Sequence, residues 1–308
     1  MTIHRSMRHV RLLTGLVAIA TMGLITPSAK AQQSFNSPDE AASVLATAVR
    51  SGTRQDILKV LGPDGEDIIS SGDEVADTDA RNKFVVAYDA KHSVKVDGKK
   101  ASLIIGADDF PFPIPLVHIK TGWEFDTDEG RQEILYRRIG RNELDAIQTC
   151  LAFVDAENDY ADKDHGDGVG VYAQHILSSP GKKDGLYWPS DANDSPLGEL
   201  AAEASAEGYK AGNGPQPYHG YYYRILTQQG MSAPGGALNY IIKGKMIGGF
   251  GLIAYPADYG NSGVMTFMVS HAGTVYQKDL GEDTEARAKS VTLFDPDKTW
   301  KPVEMSSP

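Results

Sequence analysis

The feature of this sequence that most constrains its fold is a helical pattern that runs from Asp126 to Tyr160. Apolar residues recur there three and four positions apart, which is the spacing of one face of an α-helix. Glu157 and most other acidic residues of the segment lie largely off that face, and Gly140 is the place where the pattern allows an interruption. A stripe of this kind predicts packing against a core. The stripe consists of Leu144, Ile147, Leu151 and Val154.

The residues before this helix predict short helices followed by antiparallel hairpins. Ser37 stands where an N-cap residue is favoured. Helical segments follow at residues 38–49, 54–61 and 77–88. Residues 93–105 then form two strand segments joined at Asp97-Gly98, a dipeptide typical of tight hairpins, and a second hairpin turns at residues 120–122. This succession is typical of helices that pack on one face of a small sheet.

The residues after the long helix predict a second antiparallel sheet. A loop-rich stretch and one more helix, residues 197–210, come first. Strand segments separated by glycines follow at residues 221–226, 238–242, 250–255, 264–270 and 274–277. We therefore predict an α+β fold of two modules. Residues 32–139 form a helix-plus-hairpin module, and residues 140–308 form a long helix laid on an antiparallel sheet.

The first 31 residues have the layout of a secretory signal peptide. Arg5, Arg8 and Arg11 precede an apolar run over residues 12–25, and the small residues of Ala29-Lys30-Ala31 follow it. The run is shorter than the roughly 20 apolar residues that cross a membrane. We therefore expect cleavage after Ala31 and a bacterial chain that is periplasmic or secreted.

The charge of the chain excludes two classes of partner. Removal of residues 1–31 takes away four basic residues and no acidic one, so the net charge of −11 becomes −15 in the mature chain. Nucleic acids and anionic membranes are held by clustered lysines and arginines. No second apolar stretch is long enough to span a bilayer. We expect no nucleic-acid partner, and no membrane anchor after cleavage.

Cysteine is used once in the chain, at Cys150. An exported protein with one cysteine has no internal disulfide, so its fold must rest on a hydrophobic core. The position of Cys150 relative to Ile147 and Val154 places the thiol on or beside the apolar helix face. We therefore predict a buried structural thiol, because reactive thiols need exposure and an electropositive setting.

Several segments of the chain together carry a resemblance to a known family. They include Phe110-Pro111-Phe112-Pro113-Ile114-Pro115-Leu116, Trp123-Glu124-Phe125-Asp126, Arg137 to Leu144, Asp184-Gly185-Leu186-Tyr187-Trp188, Tyr218 to Arg224, and Gly263-Val264-Met265-Thr266-Phe267. In these segments the chain resembles a bacterial family known only as domain of unknown function 2950. The resemblance covers nearly the whole mature chain and implies an exported bacterial protein, but no activity.

The second half of the chain also resembles, more faintly, the pseudopilins of type II secretion. Those proteins place a long helix before a small antiparallel sheet, with a variable loop region between them. Pseudopilins assemble through an apolar N-terminal extension of that helix. The corresponding residues here, Tyr136-Arg137-Arg138, are polar, so the resemblance does not extend to filament assembly.

A tyrosine-rich run is the strongest candidate for a ligand-binding surface. In a strand, Tyr221 and Tyr223 face one side, and Tyr222 and Arg224 face the other. One face would then present aromatic or cationic groups away from the core, which suits sugars, peptides or a protein partner. Packing of all these aromatics on the helix and neighbouring strands is the alternative interpretation. The candidates are Tyr218, His219, Tyr221, Tyr222, Tyr223 and Arg224, with Tyr187, Trp188 and His175 as further members of the surface.

Motifs for catalysis are weak, and the catalytic residues are unknown. The sequence contains no Gly-x-Ser-x-Gly elbow and no His-Glu-x-x-His zinc motif. We therefore expect a non-catalytic binding or interaction protein of the cell envelope, with an envelope protein as a possible partner. A cell-envelope hydrolase that uses acidic residues such as Glu124 and Asp126 is the alternative.

An acidic loop is the nearest approach to a metal site, although we expect no cofactor. Asp162, Asp164 and Asp167 are closely spaced, with Gly166 and Gly168 among them for a sharp turn, and closely spaced carboxylates are calcium ligands. The third acid comes one place late for an EF-hand, and no glutamate closes the loop. A solvated acidic loop is therefore favoured over a weak calcium site. A melting temperature unchanged by calcium and by chelation would exclude the site.

Overall fold

The computed structural model describes residues 32–207, 209 and 216–304. The α+β fold predicted from the sequence is confirmed, with helices packed on antiparallel sheets. The predicted signal peptide, residues 1–31, lies outside the described residues. Among the helices that the structure describes, none combines the length and apolar character needed to cross a membrane.

The N-terminal half packs four helices against a five-stranded antiparallel sheet. The sheet has the order β1-β2-β4-β5, with β3 paired to β2. The helices are α1 (Pro38–Ser51), α2 (Arg54–Leu61), α3 (Glu66–Ile69) and α4 (Glu74–Ala90). The strands are β1 (His92–Asp97), β2 (Lys100–Ile105), β3 (Phe110–Pro111), β4 (Leu116–Ile119) and β5 (Gly122–Phe125).

The C-terminal half is built on a second five-stranded antiparallel sheet, in the order β14-β13-β12-β11-β6. Helix α6 (Gly198–Glu207) precedes it, and helix α7 (Thr284–Ser290) follows β13. The strands of the sheet are β6 (Tyr221–Leu226), β11 (Gly251–Pro256), β12 (Met265–Ser270), β13 (Tyr276–Asp279) and β14 (Lys301–Pro302). Two small ladders pair β7 (Gln228–Gln229) with β8 (Leu238–Asn239), and β9 (Ile241–Ile242) with β10 (Lys245–Met246).

Helix α5 (Thr127–Ala161) joins the two halves and is 35 residues long. It is continuous through Gly140, where nothing lies within 4 Å of the position a Cβ would take. The boundary that we predicted between residues 139 and 140 therefore falls inside one helix. The beginning of α5 contacts the N-terminal elements, and its second part packs on strands β11 and β12.

The buried face of α5 differs from the predicted stripe at two positions. Leu144 is 64% exposed, whereas Glu157 is fully buried. The core face instead follows Ala146, Cys150, Phe153, Glu157 and Tyr160. The stripe was wrong at Glu157 because residues 171–173 cover that side of the helix, where the backbone N–H of Ala173 donates to Glu157 Oε2 at 2.9 Å.

Other local predictions are confirmed. Ser37 caps α1 by accepting a hydrogen bond from the Glu40 N–H. The predicted hairpin between β1 and β2 forms, but Asp97 pairs with Lys100, so its turn consists of Gly98 and Lys99 rather than Asp97-Gly98. Gly98 takes the first turn position with a φ of 58°. Cys150 is buried, and burial raises the pKa of its thiol to about 12. The predicted strand over residues 238–242 was wrong as one element, because β8 and β9 pair with different partners.

A polar junction connects the two halves around the middle of α5. The Arg138 guanidinium donates to the carbonyls of Asp67 and Ile68 and to the Asn261 side chain. One turn later, Asn142 donates to the Ser262 carbonyl at 2.8 Å, and Glu143 Oε1 accepts from the Val264 and Met265 N–H groups at 3.0 and 2.9 Å. Arg138 satisfies backbone groups of the N-terminal half, and Asn142 and Glu143 satisfy backbone groups of the C-terminal half. We call the contacts of Arg138, Asn142 and Glu143 the junction.

Asp73 makes a second connection between the halves and is almost fully buried. One carboxylate oxygen caps α4 by accepting from the Val75 and Ala76 N–H groups. The other accepts from the Tyr209 hydroxyl at 2.7 Å and from the Gly220 N–H at 3.0 Å. The segment that leads into β6 is therefore fastened to the start of α4.

We expect Asp73→Ala to destabilise the protein by about 2–4 kcal/mol, because it removes a cap and leaves the Gly220 N–H without its partner. The measurement is urea unfolding of the mature protein. Asp283→Ala is the matched control, since Asp283 stands at the N-cap of α7 without a side-chain capping bond. Equal losses in the two variants would contradict the role of Asp73.

The buried carboxyl of Glu157 predicts a pH dependence of stability. Burial holds its folded-state pKa well above the ordinary 4.5. As the pH rises past the pKa that Glu157 has in the unfolded chain, only the unfolded chain loses this proton. The free energy of unfolding therefore falls as the pH rises.

Glu157→Gln should therefore raise the melting temperature at about pH 8 and leave it nearly unchanged at about pH 4. Thermal unfolding across this range measures the effect. Glu203→Gln, at an exposed glutamate of α6, should leave the pH profile of the wild type unchanged. A Glu157→Gln profile parallel to that of the wild type would refute the explanation.

Candidate functional site

The tyrosine-rich run forms the outer strand of the C-terminal sheet. β6 pairs only with β11 within that sheet, in the antiparallel register Tyr222↔Tyr255 and Arg224↔Ile253. Tyr221 points towards α5, is fully buried, and donates its hydroxyl to the Met265 carbonyl at 2.9 Å. The side chain of Tyr221 therefore belongs to the core.

The opposite face of β6, which carries Tyr222 and Arg224, is also covered. We predicted that one face of this strand would present aromatic or cationic groups away from the core. The Arg224 guanidinium donates to the carbonyls of Ala288 and Val291 at 2.8 and 2.6 Å, at the end of α7. Tyr222 packs on Tyr255, with ring centroids 5.6 Å apart. Arg224 thus holds α7 in place, and no pattern that we recognised in the sequence indicated this helix.

A cavity of about 630 Å³ lies beside β6, between the strand and the helices. Tyr222, Tyr223 and Leu252 form its sheet side. Phe153 of α5, Leu200 and Ala204 of α6, and Ile176 and Tyr187 of the preceding loop form the other walls. Aromatic and aliphatic side chains therefore dominate the lining. We call this space the tyrosine cavity.

A second cleft, of about 640 Å³, adjoins the tyrosine cavity and has an acidic lining. His219 lies in it between two carboxylates, with its Nδ1 3.7 Å from Asp145 Oδ2 and its Nε2 3.4 Å from Glu207 Oε2. The cleft is also lined by Asp79, Asp155 and Glu203, with Lys83 and Arg141 as its cations. We call it the acidic cleft.

Tyr209 and Tyr218 stand in the wall between the two spaces and line both of them. Their rings meet at a centroid distance of 5.0 Å and an interplanar angle of 73°. Burial raises the pKa of both hydroxyls, and that of the Tyr223 hydroxyl, further above the physiological range, in which tyrosine is already neutral. The wall offers apolar ring surface together with polar ends.

The structure brings together only some of the predicted surface residues. Tyr187 lines the tyrosine cavity, whereas Trp188 is buried in the core and His175 is exposed outside both spaces. The sequence did not indicate Tyr209 or the walls from α5 and α6. Helical periodicity could have suggested the helices, but nothing local indicates that they meet β6.

The acidic loop is organised by its own backbone. Asp164 Oδ1 accepts from the Gly166 and Gly168 N–H groups, both at 2.8 Å, and these bonds lower the pKa of the carboxyl. Asp167 lies 3.6 Å from Lys245 Nζ, and Asp162 is exposed. Within residues 32–207, 209 and 216–304, no group of three or more metal-ligating side chains is placed to hold an ion.

The two acids considered for hydrolysis make hydrogen bonds that stabilise the N-terminal half. Asp126 caps α5 by accepting from the Glu129 N–H at 3.0 Å. Glu124 Oε1 accepts from the Ser34 hydroxyl at 2.9 Å. Both residues lie outside the tyrosine cavity and the acidic cleft.

Comparison with known proteins identifies one family. No curated protein matches the chain, and no solved structure matches it either, so the resemblance to pseudopilins is not supported. The family described as "Protein of unknown function (DUF2950)" matches residues 32–303, which include the junction, β6 and both spaces beside it. The chain therefore belongs to the DUF2950 family.

Proposed function

We propose that this protein is a non-catalytic binding protein of the bacterial cell envelope, and that the tyrosine cavity holds an apolar or aromatic part of its ligand. Export rests on the signal-peptide layout of residues 1–31. If the chain is exported and cleaved after Ala31, the mature protein begins at Gln32. Mass spectrometry of the native N-terminus tests this expectation.

The observation that carries this proposal is the tyrosine cavity itself. Its volume of about 630 Å³ lies within the range of small-ligand sites. Such sites combine an apolar lining with a few polar groups that orient the ligand, and Tyr218 and Tyr223 provide both in one side chain. The surrounding elements are secured by the junction and by Asp73.

A cell-envelope hydrolase remains the second candidate, and one observation favours it. His219 lies between Asp145 and Glu207 in the acidic cleft, and an imidazole beside a carboxylate can act as a general base. Hydrolysis of a wall or peptide substrate that is lost in His219→Gln, with the fold retained, would favour this function over binding alone.

Filling the tyrosine cavity should weaken binding of an apolar probe. N-phenyl-1-naphthylamine is suitable because it is neutral and the protein is acidic. We expect saturable binding to the wild type and an affinity lower by about tenfold in Ala204→Phe, because the new ring occupies the cavity and a loss of about 1.4 kcal/mol is a factor of ten. Fluorescence titration gives the dissociation constants.

Ala202→Phe is the matched control, since Ala202 lies on the same helix but is exposed outside the cavity. It should bind the probe as the wild type does, and circular dichroism should show the same fold for all three proteins. Equal affinities in the two variants, or no saturable binding to the wild type, would contradict a ligand site in the tyrosine cavity.

A further inference from the structure

The outward edge of β6 is closed at both ends. Tyr221 exchanges both of its backbone hydrogen bonds with Tyr218, at 3.1 and 2.9 Å, on the side away from β11. Six residues later, the Thr227 carbonyl accepts from the Tyr240 N–H at 3.0 Å. Backbone groups of a strand point alternately to its two sides. Tyr223 and Ile225 therefore direct their N–H and C=O groups to the same outward side as Tyr221 and Thr227.

The middle of this edge has no backbone partner among the described residues, and we call it the open stretch. Among residues 32–207, 209 and 216–304, no hydrogen bond reaches the outward N–H and C=O groups of Tyr223 or Ile225. Both residues are half-buried rather than enclosed. An unpaired stretch of an edge strand is a template for another strand. Here it consists of two donor–acceptor pairs, about 7 Å apart at the usual rise of a strand.

The open stretch borders the tyrosine cavity, and this position determines which peptide can pair with the strand. A strand that pairs with Tyr223 and Ile225 sends alternate side chains to the α5 side of the sheet, where Tyr223 and Leu252 line the cavity. One apolar side chain of the added strand can enter there. The adjoining acidic cleft, with Asp145, Glu203 and Glu207, favours a basic neighbouring residue.

We propose that β6 binds an extended peptide segment of a partner protein by strand addition, with one apolar side chain in the tyrosine cavity and a basic residue towards the acidic cleft. This proposal rests on the proposed function and names its ligand class. Main-chain hydrogen bonds to Tyr223 and Ile225 supply affinity, and the cavity supplies specificity.

The first test needs no ligand. Amide hydrogen exchange of the mature protein, measured by NMR, should show fast exchange at Tyr223 and Ile225 and slow exchange at Tyr222 and Arg224, which face β11. Protection of Tyr223 and Ile225 in the free monomer would overturn the proposal, because the edge would already be paired. Protection that grows with protein concentration would also overturn it, in favour of a second copy of the chain as the partner.

The second test uses a library of seven-residue peptides with a central Phe or Leu and random flanking residues that include Lys and Arg. The tightest binder is then synthesised with N-methyl groups at alternate positions. Alternate backbone N–H groups of the bound peptide face β6, and the others face away from it. Methylation of the N–H groups that face β6 should lower the affinity by about tenfold or more, because it removes the donors to the strand, and methylation of the other N–H groups should not. Binding should also slow the exchange of Tyr223 and Ile225.

The outcomes separate this proposal from the proposed function. A library without a binder, or equal effects of both methylation patterns, overturns strand addition. If N-phenyl-1-naphthylamine still binds and Ala204→Phe still weakens it, the cavity remains a ligand site. Failure of both the probe and the peptides refutes both proposals. Ala202→Phe serves as the control in the peptide titrations as well.

Discussion

The structure depends on one long helix, α5, which packs with both halves of the protein. The 35 residues of α5 extend for about 52 Å at 1.5 Å per residue. The beginning of the helix packs with the N-terminal elements, its middle carries the junction, and its second part covers the C-terminal sheet. Because a continuous helix is stiff, the contacts of Arg138, Asn142 and Glu143 position one half of the protein relative to the other.

The junction also positions the candidate site. Gly220 has a φ of +73°, and a Cβ there would lie 2.5 Å from Asn142 Nδ2, so only glycine fits between the helix and the start of β6. Its N–H is held by Asp73. These contacts place Tyr218 in the wall between the tyrosine cavity and the acidic cleft, and His219 in the acidic cleft. A polar network that satisfies buried backbone groups therefore shapes an apolar binding space.

The aromatic strand divides its roles between structure and the proposed binding. Tyr221 is a core residue and Arg224 secures α7, whereas Tyr222 and Tyr223 line the cavity. The sequence identified β6 as the region of interest, but it placed the binding surface on a face of the strand. Packed side chains cover both faces apart from the tyrosine cavity, and the peptide site that we propose is the strand edge. Edge position follows from sheet order, which residues near the strand do not encode.

The sequence by itself determined the features that depend on neighbours along the chain. The N-cap at Ser37, the presence of a hairpin between β1 and β2, and the burial of Cys150 all follow from local spacing and residue type. The tertiary structure decided which side of α5 is buried, since periodicity defines a face but not what covers it. It therefore exposed Leu144 and buried Glu157. It also assembled the cavity, because its walls come from α5, α6 and β6, which only the folded chain brings together.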